Sequence, residues 1–178
     1  MRITIKLILS LSLLLIIASS NRANLTDFYS KLLNSTLPYL VYSSYGDIEK
    51  YYPSQSASIY YSAWECSTRR YSDHSTPVVF YLSGGPGLSS QFAAFREFGP
   101  LEILYKNGEY RATENSWSWN YYAHLVFVDL PIGVGFSYSK VKTVESSKTI
   151  ALHFINFLNN FFETFTPSLK TNPFYLAG

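Results

Sequence analysis

A single cysteine, Cys66, is present among 178 residues. That excludes a disulfide within the chain, and in an oxidising compartment it leaves the thiol as a buried spectator or a link to a partner elsewhere. Histidine is nearly as scarce, with three in the chain. His74 lies in a polar turn, His124 at a strand start and His153 on a helix. None has metal-ligand spacing with Cys66, and each is read as a surface or core residue rather than a general base. Charge is sparse as well: 15% of residues are Asp, Glu, Lys or Arg, and the formal net charge is +2. With no basic stripe, no nucleic-acid partner is expected. The sequence holds no internal repeat and no low-complexity tract.

What is present is apolar and aromatic. Hydrophobic residues make up 47% of the chain, with 16 Tyr and 13 Phe, so it forms a core rather than a disordered segment. The length suits one domain, and this much aromatic surface requires a large core or a binding cleft. Residues 1–20 have the form of a secretory signal. Arg2 and Lys6 flank the start of an apolar run from Leu7 to Ile17, and Ala18-Ser19-Ser20 offers a small-residue cleavage site. The run is shorter than the roughly 20 residues a bilayer span needs, so no membrane attachment is expected once the signal is removed. Asn24-Leu25-Thr26 and Asn34-Ser35-Thr36 are N-glycosylation sequons. Together these place the chain on the secretory route, with residues 21–178 as the mature domain.

Thr26-Asp27-Phe28 opens a short helix expected to run to Leu33, with Pro38 beyond its end. Residues 39–56, rich in Tyr, Ser and Gly, read as turn and irregular strand, and Ala57–Glu65 as strand. Val78–Leu82 is a short apolar run bounded by turn signals, hence a buried strand. Gln91–Glu97 is helix-prone and is stopped by Gly99-Pro100. Asn107-Gly108 signals a hairpin between Ile103–Tyr105 and Tyr110. Leu125–Leu130 is a second buried strand, ending in the loop Pro131–Gly135. Apolar residues follow helical spacing over about 144–164, Thr166-Pro167 ends that helix, and Phe174–Ala177 begins a further strand. Strand, glycine turn, strand, long helix, strand is the grammar of an α/β sheet with parallel crossovers. In such sheets ligands bind at the carboxyl ends of the strands.

Two of those ends carry glycine-rich loops. In Ser83-Gly84-Gly85-Pro86-Gly87, adjacent glycines let the backbone take positive φ and bring bare N–H groups to a ligand. Pro86 fixes its own φ and restricts Gly85. Free N–H groups between a strand and a helix form a cradle for a carboxylate or a developing oxyanion; an ordinary tight turn is the competing reading. Asp129 is read as structural, bracing the Gly133–Gly135 loop. Trp117 and Trp119 are read as packing anchors.

Five segments occur in a fixed order within the stretch from about Tyr45 to Gly178. They are Tyr81-Leu82-Ser83-Gly84-Gly85-Pro86-Gly87-Leu88-Ser89-Ser90; Glu97-Phe98-Gly99-Pro100; Asn115-Ser116-Trp117-Ser118-Trp119-Asn120; Val128-Asp129-Leu130-Pro131 through Gly135-Phe136-Ser137-Tyr138-Ser139; and Phe174-Tyr175-Leu176-Ala177-Gly178. The set resembles the serine carboxypeptidases, which are α/β-hydrolases. The first is similar to their signature Trp-Leu-Asn-Gly-Gly-Pro-Gly-Cys-Ser-Ser, and the last to the strand entering Gly-Glu-Ser-Tyr-x-Gly, the nucleophile elbow. Proline iminopeptidases share Gly-Gly-Pro-Gly, usually after His, where Ser83 stands here.

The resemblance implies an enzyme that releases C-terminal amino acids through an acyl-enzyme. It implies a peptide or protein substrate with a free C-terminus, no metal or other cofactor, and a secreted, lysosomal or vacuolar setting. Gly85 would supply one oxyanion N–H, with a geometry that depends on Gly84 and Pro86. The substrate carboxylate would be held by Ser83, Gly84 and Glu97, with Ser83 in place of the signature's Asn and Tyr81 in place of its Trp. Glu97 matches a glutamate that pairs with another beside the elbow, and two carboxyl groups sharing a proton can hold a carboxylate substrate at acid pH. Leu88 stands where the family often has cysteine. Gly178 matches the first glycine of the elbow, so the nucleophile, Asp and His fall beyond it. Residues 1–178 are therefore expected to be an N-terminal part of the hydrolase, inactive alone. Gly135-Phe136-Ser137-Tyr138-Ser139 imitates Gly-x-Ser-x-Gly but lacks the final glycine and an immediate helix, so Ser137 is not read as a nucleophile. An acyltransferase on the same scaffold, and a non-catalytic secreted binding protein derived from it, are the alternatives.

Overall fold

The computed structural model describes residues 23–33, 35–48, 57–140 and 146–178; the expected signal and Asn34 lie outside them. The elements run β1 (Ala23–Asn24), α1 (Thr26–Leu33), β2 (Val41–Asp47), β3 (Ala57–Trp64), β4 (Val78–Tyr81), α2 (Gln91–Arg96), β5 (Leu101–Lys106) and β6 (Glu109–Glu114). A 3-10 turn at Trp119–Tyr121 precedes β7 (His124–Val128) and β8 (Tyr138–Ser139). Then come α3 (Ser147–Thr164), a 3-10 helix at Pro167–Thr171, and β9 (Phe174–Ala177).

The main sheet has the order β1-β2-β3-β7-β4-β9, with β8 also pairing β3. Its β4 runs parallel to both β7 and β9, so β7–α3–β9 is the expected parallel crossover, passing over β4. The other half is antiparallel, through β1–β2, β2–β3 and β3–β7. Residues 39–56, expected to be turn and irregular strand, contain β2 as a regular strand of seven residues. Its Ser43, Ser44, Gly46 and Asp47 are poor strand material alone, but it is in register with β3 from Val41 opposite Trp64 to Asp47 opposite Ser58. Cross-strand packing overrides local composition there. The β5–β6 pair forms a separate hairpin sheet, and Asn107 and Gly108 at its turn take φ of 54° and 81°, as a two-residue turn matched to strand twist requires.

Both faces of the sheet are covered, which is why β7 reads as a continuous apolar run rather than an alternating one. Alternate side chains still go to opposite faces. Ile59, Tyr61, Phe80, Val126 and Val128 meet Phe154, Phe157 and Phe161 of α3. Trp64, Leu125 and Phe127 meet Ala93 and Ala94 of α2, with Tyr29 of α1 alongside. Both layers are rich in aromatic side chains, and in the first Tyr61 lies edge-on to Phe157 and Phe161 at 5.5 and 5.3 Å, and Phe80 to Phe161 at 5.1 Å. Trp119 does pack, stacked on Phe98 at 4.3 Å. Trp117 does not: it is 86% exposed, because the turn closed by its N–H on Asn115 Oδ1 leaves the indole on the solvent side.

Parallel pairing sets where function can sit. Tyr81 is in register with Phe127 and with Ala177. The carboxyl ends of β4, β7 and β9 therefore bring together the Ser83–Gly87 turn, the Asp129–Phe136 loop and Gly178. The Leu82 N–H donates to the Ala177 carbonyl at 3.0 Å, which continues the parallel ladder up to the turn.

Candidate active site

Beyond Tyr81 the chain turns sharply, and Gly84, Gly85, Pro86 and Gly87 are all exposed. Gly85 has φ of 131°, a region that side chains other than glycine's rarely adopt. A Cβ placed on Gly84 would meet no heavy atom within 4 Å, so ligand can approach this backbone closely. The Gly85–Pro86 and Leu130–Pro131 bonds are cis.

The exit of the turn is fastened to β7 and the loop after it. Ser83 N–H donates to Ser90 Oγ at 2.9 Å, and Ser90 Oγ donates to the Val128 carbonyl at 2.5 Å. Asp129, fully buried, takes three donors: Ser89 Oγ at 2.6 Å and Ser90 N–H at 2.9 Å on Oδ1, and Phe136 N–H at 3.0 Å on Oδ2. Burial pushes its carboxyl above the usual range, and hydrogen bonds from Ser89 and Phe136 among others oppose that. The expected brace of the Gly133–Gly135 loop is thus present, through Phe136. The hold on Ser89 and Ser90 is additional. Gly135 makes room for it: with φ of 57°, its Cβ would fall 2.1 Å from Asp129 Oδ2.

Ser137 is buried, donating to the Asp129 carbonyl at 2.6 Å and accepting from Tyr60 N–H at 2.8 Å. Both bonds join it to backbone, as a structural serine rather than a nucleophile would be placed. Of the histidines, His124 is buried, stacked on Tyr71 at 4.6 Å, with Nδ1 accepting from Cys66 N–H at 2.9 Å. Burial lowers its pKa to about 4 against the opposing pull of Glu65 and Asp73. His74 is exposed beside the Ser168 carbonyl, and His153 is buried on α3. Cys66 is a buried free thiol.

Glu97 follows α2 directly and is exposed. Its backbone is gripped from the segment ahead of β7: Asn115 Nδ2 donates to the carbonyls of Glu97 and Gly99 at 3.0 and 2.9 Å. Ser118 Oγ and Trp119 N–H both donate to the Phe98 carbonyl, at 3.0 and 3.1 Å. Asn115 and Ser118 had no assigned role in the sequence beyond their place in the Asn…Ser-Trp motif, which was the available signal. Tyr81 is half-buried, its ring edge-on to Phe98 at 4.8 Å, so Tyr81, Phe98 and Trp119 form one aromatic wall. Ser83, Gly84 and Gly85 share a single turn, Tyr81 precedes it at the end of β4, and Glu97 is next in sequence to Phe98, whose ring meets Tyr81. Asn24 is exposed, its Oδ1 accepting from Thr26 N–H at 3.0 Å. Among the described residues, no helix is long and apolar enough to cross a membrane, and no cluster of three His, Cys, Asp or Glu is placed to hold a metal.

Residues 51–178 match the family model Peptidase_S10, serine carboxypeptidase. The pheromone-processing carboxypeptidase KEX1 of Tuber melanosporum is 40% identical over 102 residues, spanning 57% of this chain and 16% of that protein. The vacuolar serine-type carboxypeptidase ATG42 of Saccharomyces cerevisiae is also 40% identical over 102 residues, 57% of this chain and 19% of that one. Serine carboxypeptidase-like 49 of Arabidopsis thaliana is 35% identical over 127 residues, 70% of this chain and 23% of that one. The crystal structure of a prohormone-processing carboxypeptidase from Saccharomyces cerevisiae shares the fold, with a TM-score of 0.66 at 24% identity, covering 78% of this chain and 30% of its own. The chain thus spans between 16% and 23% of the length of these curated relatives.

Proposed function

The chain belongs to the serine carboxypeptidase family and has its α/β-hydrolase fold, and from that premise we propose that it supplies the oxyanion and carboxylate-binding half of a carboxypeptidase site. The observation that carries this reading is the exposed Gly84–Gly87 turn at the carboxyl ends of parallel strands, with Gly85 at φ of 131°. In α/β-hydrolases one oxyanion donor comes from such a loop and the other from the residue after the nucleophile. Gly85 N–H is the first of these donors. Ser83, Gly84 and Glu97 hold the C-terminal carboxylate of the peptide, and Tyr81 walls that site. Residues 1–178 do not hold the family's Gly-Glu-Ser-Tyr-x-Gly elbow, and by themselves they are catalytically silent. Residues 1–20 are a cleaved signal, Asn24 and Asn34 carry glycans, and the product is secreted or delivered to a lysosome or vacuole.

The test uses the complete gene product. It releases the C-terminal amino acid from an N-blocked dipeptide, a fluorophosphonate abolishes that release, and Gly85→Ala lowers kcat by about a hundred- to a thousand-fold. A complete product that is labelled by the fluorophosphonate yet leaves free-carboxylate peptides intact would sink the reading. The replacement of the signature's Asn and Trp by Ser83 and Tyr81 loosens the grip on a carboxylate and favours, as second reading, acyl transfer to an alcohol. Product analysis with an alcohol acceptor in the same assay separates the two.

A further inference from the structure

We propose that Asp129 is a positioning residue for the reaction: one buried carboxylate clamps the exit of the Gly84–Gly87 turn and the Gly133–Phe136 loop together, and so sets where Gly85 N–H points. The inference rests on the hydrolase reading of that turn. Its basis is the distribution of donors over the two oxygens. Oδ1 accepts from Ser90 N–H and Ser89 Oγ, and Oδ2 accepts from Phe136 N–H. Each oxygen therefore faces a backbone donor that cannot rotate away, and only a group that accepts at both ends satisfies the pair. An asparagine in either orientation turns an NH2 toward one of those N–H groups. The displacement has a short route to the turn, because Ser90 Oγ, fixed on the Val128 carbonyl, is also the acceptor for Ser83 N–H, one residue before Gly84. On the other side there is no slack to absorb it: a Cβ at Gly135 would already overlap Asp129 Oδ2 and lie 2.8 Å from Ser89 Oγ. Misplacing a catalytic donor by about 1 Å is enough to lower a rate by about a hundred-fold.

The experiment uses the complete gene product, with active sites counted by fluorophosphonate titration so that kcat is expressed per competent site. Asp129→Asn is expected to lower that kcat by about 10- to 100-fold with KM changed by less than about three-fold. Ser89→Ala, which keeps the carboxylate and removes one arm, shifts kcat in the same direction by less. Leu169→Ala, a cavity in the core beneath α3, is the stability control: it lowers the melting temperature and leaves kcat per site unchanged. Asp129→Asn behaving like Leu169→Ala overturns the proposal. If Asp129→Asn does not fold, an unchanged kcat per site in Ser89→Ala overturns it instead. Wild-type protein that the fluorophosphonate does not label refutes the hydrolase reading itself, a different result, and the proposal falls with it.

Discussion

Under the proposed function, Ser83 is the side chain through which carboxylate binding can be tested. Its N–H is committed to Ser90 Oγ, while its hydroxyl has only a long, 3.5 Å contact with the Ser89 carbonyl. The hydroxyl can therefore reorient toward a ligand, but it is shorter than the signature's amide. A hydrogen bond to a charged group contributes roughly 1.5–3 kcal/mol, so Ser83→Asn is expected to lower KM for a free-carboxylate peptide by about ten-fold and to leave the corresponding peptide amide unchanged. Equal shifts for both substrates would take Ser83 out of carboxylate binding. His124 gives the pH prediction. Its neutral ring accepts from Cys66 N–H, and protonation would place a donor against that donor. With the pKa lowered by burial from 6.5 to about 4, the unfolded chain binds a proton between those values that the folded chain refuses. Stability is therefore greatest above about pH 6.5 and falls as the pH drops toward about 4. Asn at this position keeps an acceptor and cannot titrate in that range. In His124→Asn, urea midpoints should fall less between about pH 7 and about pH 5 than in wild type.

Among the elements, α3 carries most of the packing on its side of the sheet, and its start is capped by Ser146 Oγ accepting from Thr149 N–H at 3.1 Å. Ser146→Ala is expected to cost about 1 kcal/mol. Phe157→Ala is expected to cost about 3–5 kcal/mol, since that ring is fully buried between Tyr61 and Phe80 and rests against Gly46. Urea unfolding of the complete gene product measures both, and a larger loss for Ser146→Ala than for Phe157→Ala would contradict the assigned packing. Helices α1 and α3 and the Asn107-Gly108 hairpin were legible in the sequence because caps, helical spacing and turn chemistry are local. Strand β2 was legible only as turn and irregular strand, since its regularity and bounds come from pairing with β3. The same limit hid half of what Asp129 does. A Pro-Gly loop beside it advertised the near contact to Phe136, whereas Ser89 and Ser90 are some 40 positions away and meet it only through the parallel pairing of β4 with β7. The glycine turn was legible as a cradle, but the grip of Asn115 and Ser118 on residues 97–99 needed the fold.

At the scale of the whole molecule, β9 is the exposed flank. It pairs with β4 alone, and among the described residues no strand takes its outer edge. Phe174, Tyr175 and Leu176 are 45%, 56% and 55% exposed, an apolar strip beside open N–H and C=O groups. Protected proteins shorten, charge or cover such an edge, and here exposed apolar side chains flank it on both faces, Phe174 and Leu176 on one and Tyr175 on the other. Residues 21–178 expressed by themselves are therefore expected to self-associate as concentration rises, whereas the complete gene product sediments as a discrete species over the same range. Leu176→Lys places a charge on the strip and should reduce the self-association without altering the far-ultraviolet spectrum. A concentration-independent monomer of residues 21–178 would mean that β9 is not an adhesive edge. The same strand fixes Gly178 beside the glycine turn through the Leu82–Ala177 hydrogen bond. Under the proposed function, a variant that loosens this edge should therefore lower kcat per site in the complete product as well as its solubility.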